Sequence, residues 1–130
     1  MKKRSVLLQL VRDSIQEVFE ANRTIDKEGI LKKYPLLNEH ITSKVNLYID
    51  GKLRGSYSSK DDSKNLLEDI IYNAKKAAFE DENFPPLTTS QYLSCEIELI
   101  LNTPDGVMNE KDKPILKGDI PLEKVFGEDI

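Results

Sequence analysis

The stretch Lys44–Ser59 constrains the fold more than any other, because it alternates, turns and alternates again. Val45, Leu47 and Ile49 are interleaved with Asn46 and Tyr48, the period of a strand with one buried face. Asp50-Gly51 marks a turn, and Leu53, Gly55 and Tyr57 then alternate with Arg54, Ser56 and Ser58. This is a β-hairpin, and residue parity constrains its loop. If the odd-numbered residues of both arms share the core face, the loop holds an odd number of residues. A three-residue loop, Ile49-Asp50-Gly51 with Gly51 left-handed in a bulge, meets that demand. A two-residue Asp-Gly turn would put Leu47 opposite Arg54 and mix the faces. The three-residue loop is therefore expected, with Asn46, Tyr48, Arg54, Ser56 and Ser58 together on the polar face.

Helical periods flank the hairpin. Val6, Leu7, Leu10, Val11, Ser14, Ile15, Val18 and Phe19 form one apolar stripe, predicting a core-facing helix from about Ser5 to Ala21. Thr24 or Asp26 caps a short second helix reaching Lys33, which Tyr34-Pro35 breaks. Leu66, Leu67, Ile70, Ile71, Ala74, Ala77 and Ala78 make the apolar face of a third helix, about Ser63 to Glu80. Its alanines let it lie close to a sheet. Phe84-Pro85-Pro86-Leu87 reads as a rigid extended segment. From Ser94 the period returns to two, with Cys95, Ile97, Leu99 and Leu101 inward and Glu96 and Glu98 outward. Pro104-Asp105-Gly106 is a turn, and Val107-Met108 and Ile115-Leu116 are short strand candidates. Ile115, Leu116 and Ile120 are expected to be drawn onto the fold, or a second copy to cover the sheet edge. The fold class is α+β, an antiparallel sheet flanked by helices, in a single domain over residues 1–130.

Composition narrows the function classes. No apolar run approaches the roughly 20 residues of a membrane helix, so no membrane role is expected. The single cysteine, Cys95, excludes an internal disulfide and suits a cytoplasmic location. With only His40 beside it as a soft ligand, no metal site and no cofactor are expected. His40 adjoins Glu39, but its sequence neighbours offer no nucleophile. Residues 1–64 hold 13 Lys+Arg against 9 Asp+Glu and residues 65–130 hold 6 against 14, so the net −4 hides balances of +4 and −8. The basic residues are mixed with acids rather than gathered in a stripe, which argues against nucleic acid as a partner.

Two runs, Asp50-Gly51-Lys52-Leu53-Arg54-Gly55-Ser56-Tyr57-Ser58 and Ala77-Ala78-Phe79 through Asn83-Phe84-Pro85-Pro86-Leu87, resemble the AMMECR-type domain family. That family carries Leu-Arg-Gly-Cys-Ile-Gly after an Asp-Gly-type turn, then a helix ending Ala-Ala-Phe and an Arg-Phe-Pro-Pro-Leu segment. The motif residues matched are Leu53, Arg54, Gly55, Phe84, Pro85 and Pro86. Four positions depart: Ser56 stands for the signature cysteine, Tyr57 for its isoleucine, Ser58 for its second glycine, and Asn83 for its arginine. The family's later Gly-rich and Leu-Leu-Pro-type segments have no counterpart after Pro104, so the C-terminal part reads as shortened. The resemblance implies an α+β fold and partners of the MEMO or radical-SAM type, without implying a reaction.

These observations favour a binding or accessory module over an enzyme. Its candidate recognition residues are Arg54, Ser56, Asn46, Tyr48 and Ser58, a set suited to an anionic group or a peptide. Arg54 has a structural alternative, pairing across the sheet with Glu96 or Glu98. Gly55 admits either a ligand or the Ala-rich helix. No residue is assigned as catalytic. The alternative is a hydrolase or transferase in a MEMO- or radical-SAM-associated pathway, using Ser56 or a pocket at Arg54.

Overall fold

In the computed structural model, residues 6–102 are described in full and residues 107–109 and 115–117 as backbone. The Pro104–Gly106 turn and Ile120 lie outside the described residues. Two helices, α1 (Val6–Glu20) and α3 (Leu66–Phe79), carry the apolar stripes read from the sequence. Asn65 caps α3 by accepting from Glu68 N at 2.9 Å, while the Glu68 carboxylate pairs with Lys27 at 3.1 Å instead of completing a capping box. A short α2 (Lys27–Lys33), capped by Asp26, lies between them in sequence.

The sheet is antiparallel and five-stranded, in the order β2-β1-β3-β4-β5. The strands are β1 (Ser43–Ile49), β2 (Lys52–Ser58), β3 (Glu96–Leu101), β4 (Val107–Asn109) and β5 (Ile115–Lys117). Val45 pairs with Leu99 and Leu47 with Ile97, so the inward residues of β1 and β3 form one apolar face. That face packs with α1 and α3, and Leu7, Leu8, Leu47, Leu67, Ile70, Ile97 and Leu99 are all fully buried between them. Cys95, just before β3, is buried as its parity predicts. Ile115 and Leu116 fall in β5, beyond β4 from the hairpin.

The hairpin turn departs from the parity argument. Ile49 pairs directly with Lys52, so the loop is the two-residue Asp50-Gly51 turn, with φ of 53° and 78°. Both positive angles fit the right-handed twist of the strands. Parity is restored four residues later. Tyr48 pairs with Leu53 but Leu47 with Gly55, so Arg54 is an extra, unpaired residue in a β-bulge. One residue is surplus, as parity requires, and it lies at Arg54, not in the loop. Leu53 consequently shares the face of Tyr48 and is 45% exposed.

A second departure is α4 (Thr89–Ser94), in the stretch between the Phe84–Leu87 segment and β3 to which the sequence pattern assigns no element. Thr88 and Gln91 form a complete capping box at its start. The T-x-x-Q spacing was visible in the sequence.

The end of α1 is tied down by Glu17. Its Oε2 accepts from Thr24 N at 2.7 Å and Ile25 N at 2.9 Å, and its Oε1 accepts from Lys75 Nζ at 2.9 Å. Burial pushes this carboxyl upward, but the Ile25 N–H, the Lys75 ammonium and the Thr24 N–H outweigh it, and the net shift is downward. A carboxyl lowered on folding gives stability that is present above its unfolded pKa and is lost as pH falls through the folded one. Urea denaturation should therefore show stability declining below about pH 4. Glu17→Gln should flatten that part of the profile and cost about 1–2 kcal/mol at neutral pH.

Candidate functional site

The sheet face opposite α1 and α3 gathers the polar residues of the hairpin. Asn46 sits between Ser56 on one neighbouring strand and Glu98 on the other. Ser56 Oγ donates to Asn46 Oδ1 at 2.7 Å, and Asn46 Nδ2 donates to Glu98 Oε1 at 2.8 Å. Tyr48 OH donates to the same carboxylate oxygen at 3.1 Å. Burial and the Glu98 carboxylate push the Tyr48 phenol above its ordinary value, so it stays a donor. Glu96 is the register partner of Tyr48, which places two acidic residues on this face. The result is a carboxylate held in place by two donors, beside an amide and a hydroxyl.

Three of the five expected recognition residues, Asn46, Tyr48 and Ser56, thus form one connected network. Ser58 has the matching parity but sits opposite Lys44 near the strand end, exposed. Arg54 is not on this face with them. The bulge turns its side chain aside, and Arg54 is only 9% exposed. Its Nη2 donates to Pro85 O at 2.9 Å and Gln91 Oε1 at 3.0 Å, and its guanidinium stands 5.4 Å from the Phe84 ring centre. It makes neither the cross-strand pair with Glu96 or Glu98 nor a solvent-facing anion site. Gln91, marked in the sequence only by the T-x-x-Q capping spacing, is the side chain that receives it.

Neighbouring motif residues are equally structural. A Cβ on Gly55 would collide with the Ala77 carbonyl, so the glycine admits the helix rather than a ligand. The Ser56 N–H, on the outer edge of β2, donates to Asp81 Oδ2 at 2.8 Å. The two sequence-distant runs, Leu53–Ser58 and Ala77–Leu87, therefore meet through Arg54, Gly55 and Ser56. Ser56 Oγ faces an amide oxygen, which is no base, and the His40 Nδ1–H donates to Asp62 O at 2.6 Å. Among the described residues no group of three or more His, Cys, Asp and Glu side chains is placed to hold a metal ion. No described helix is long and apolar enough to cross a membrane.

A sheet packed with two amphipathic helices, with a bulged hairpin clamped onto a Pro-Pro segment, defines an α+β domain of a specific kind. The AMMECR1 family model matches residues 8–117, and the chain belongs to that family. The crystal structure of the uncharacterized protein PH0010 from Pyrococcus horikoshii has the same fold, with a TM-score of 0.65 at 23% identity. That likeness covers 77% of this chain and 51% of the other, so the chain spans about half the length of that protein. No match is found among curated proteins.

Proposed function

We propose that the chain is a binding module whose recognition surface is the polar sheet face centred on Glu98, with Asn46, Tyr48 and Ser56 around it. One observation carries this reading: Asn46 and Tyr48 fix the Glu98 carboxylate, and among the described residues no cation neutralises it. An acceptor ordered beforehand loses little side-chain entropy when a partner arrives. With Arg54 turned away, the face suits a cationic group, not the anion suggested by the sequence. The fitting partner is a protein segment bearing lysine or arginine. Proteins of the MEMO and radical-SAM type are the first candidates, from the family association, and a second copy of the chain is the competing one.

Glu98→Gln tests this cleanly, because the amide keeps an acceptor for Asn46 and Tyr48 while removing the charge. Titration calorimetry against a MEMO-type protein should show binding weakened about tenfold or more, equivalent to about 1.4 kcal/mol. The thermal midpoint should stay unchanged. Undiminished binding by Glu98→Gln would remove this face from recognition.

A further inference from the structure

The recognition face carries a cation of its own. Lys44, the second residue of β1, is exposed and has the parity of Asn46 and Tyr48. Register partners share a face of an antiparallel sheet, so the outward residues fall into rows across the strands. Lys44 pairs with Ile100, and the register carries this row on to Val107 and Lys117 in β4 and β5. The next row holds Asn46 and Glu98, and the one after it Tyr48 and Glu96. The face is therefore bipolar along its strands, with lysines in one row and carboxylates in the next two. Both described helices that pack on the sheet, α1 and α3, lie on the other side. Glu96, Glu98 and Ile100 all keep partial contact with solvent. Among the described residues none of Lys44, Glu96 and Glu98 is in an ion pair.

We propose that a second copy of the chain occupies this face when no outside partner does, with Lys44 of each copy against Glu98 of the other. The inference rests on the face being the recognition surface of the proposed function, and it says what covers it. A two-fold axis lying across the strands, between the row of Lys44 and the row of Glu98, exchanges those two rows. Lys44 of one copy then stands over the row of Asn46 and Glu98 in the other, and the reciprocal contact forms with it. The two side chains need bridge only one strand spacing, about 4.8 Å, because Glu98 lies on the strand next to β1. Ile100 falls beside the axis, where the two copies bring that residue together. A two-fold axis along the strands would instead set lysine against lysine. The described strands cover roughly 450 Å² at about 3.4 Å per residue and 4.8 Å between strands. Two such faces bury about 900 Å² in all, near the lower limit of specific interfaces, so the dimer is weak and reversible.

Sedimentation equilibrium of the full chain from about 0.01 to about 1 mM should show a reversible monomer–dimer exchange that added salt weakens. Lys44→Glu and Glu98→Lys should each weaken association about tenfold or more, because each sets like charges together. An equimolar mixture of the two variants should associate about as tightly as wild type, since every glutamate then meets a lysine across the interface. An ion pair within one chain would not be restored by mixing. Thermal midpoints check that both variants fold. Lys44 is exposed, so Lys44→Glu decides the matter by itself if Glu98→Lys does not fold. A wild type that stays monomeric throughout would overturn the inference, as would a Lys44→Glu variant that dimerises like wild type. So would a mixture of the folded variants that associates no more tightly than either alone. A monomeric wild type leaves the Glu98→Gln test against a MEMO-type protein standing, so the two readings fail separately.

Discussion

Gly55→Ala should destabilise the protein by about 3 kcal/mol or more, at the upper end for an overpacking substitution. The reason is what the added methyl group would meet. A Cβ at this position runs into the Ala77 carbonyl oxygen, with the Ala77 carbonyl carbon at 3.2 Å and Leu47 Cδ1 at 3.5 Å. The clashing oxygen and carbon are backbone atoms of Ala77 in the last turn of α3, so no side-chain rotation relieves the clash. Either α3 lifts from β2 or the hairpin shears, and both open the core around Ala74, Ala78 and Leu47. Gly51→Ala provides the contrast. Gly51 has φ of 78° but open space around it, so alanine there meets only conformational strain, about 1 kcal/mol. Urea denaturation of the two variants side by side measures the difference. If Gly55→Ala lost no more than Gly51→Ala, the close approach of helix and strand would be wrong.

The same glycine shows how far sequence reasoning reached. The alternation of Val45, Leu47, Ile97 and Leu99 and the stripes of α1 and α3 sufficed for an α+β fold, because each element's period is set by local geometry. Small residues at Ala74, Ala77 and Ala78 foretold a helix close to the sheet, and Gly55 is where it comes closest. Parity also required one surplus residue in the hairpin, yet could not say where. A surplus residue in the loop and one in the bulge put Leu47, Gly55 and Tyr57 on the same face, although the bulge shifts their pairing by two residues, so that Leu47 meets Gly55 instead of Leu53. The faces differ only at Leu53 and Arg54, and the choice between them depends on Pro85 and Gln91, 31 and 37 residues from Arg54 in sequence. Alternation therefore grouped Asn46, Tyr48 and Ser56 correctly but misplaced Arg54. In the sequence, Glu98 stands out only as a cross-strand partner for Arg54. Its part in the polar face became visible once the guanidinium was accounted for elsewhere.

Arg54→Ala is the sharper test of that assignment, with an expected loss of about 2–4 kcal/mol. On the face where parity alone would put it, Arg54 would be a solvated residue whose removal costs about 0–1 kcal/mol. In the structure its Nη2 uses both hydrogens, one on the Pro85 carbonyl and one on Gln91 Oε1, which also accepts from Thr88 N at 3.1 Å. Truncation leaves the proline carbonyl without this donor and strips the cation from the Phe84 ring. The Pro-Pro segment would then be held by the Leu87 N–H donating to the Ala78 carbonyl at 2.8 Å and by the buried Leu87 side chain. The loss should therefore be concentrated there. Hydrogen exchange at the Leu87, Thr88 and Gln91 amides should accelerate more than at β1 or β3. Arg54→Met, which keeps the length of the apolar stem, should recover only part of the stability, because packing survives and the two hydrogen bonds do not. A midpoint unchanged in Arg54→Ala would return the guanidinium to solvent and restore Arg54 to the recognition face. Loss of stability with exchange rising around Leu87 establishes it as the clamp between the hairpin and the Pro-Pro segment.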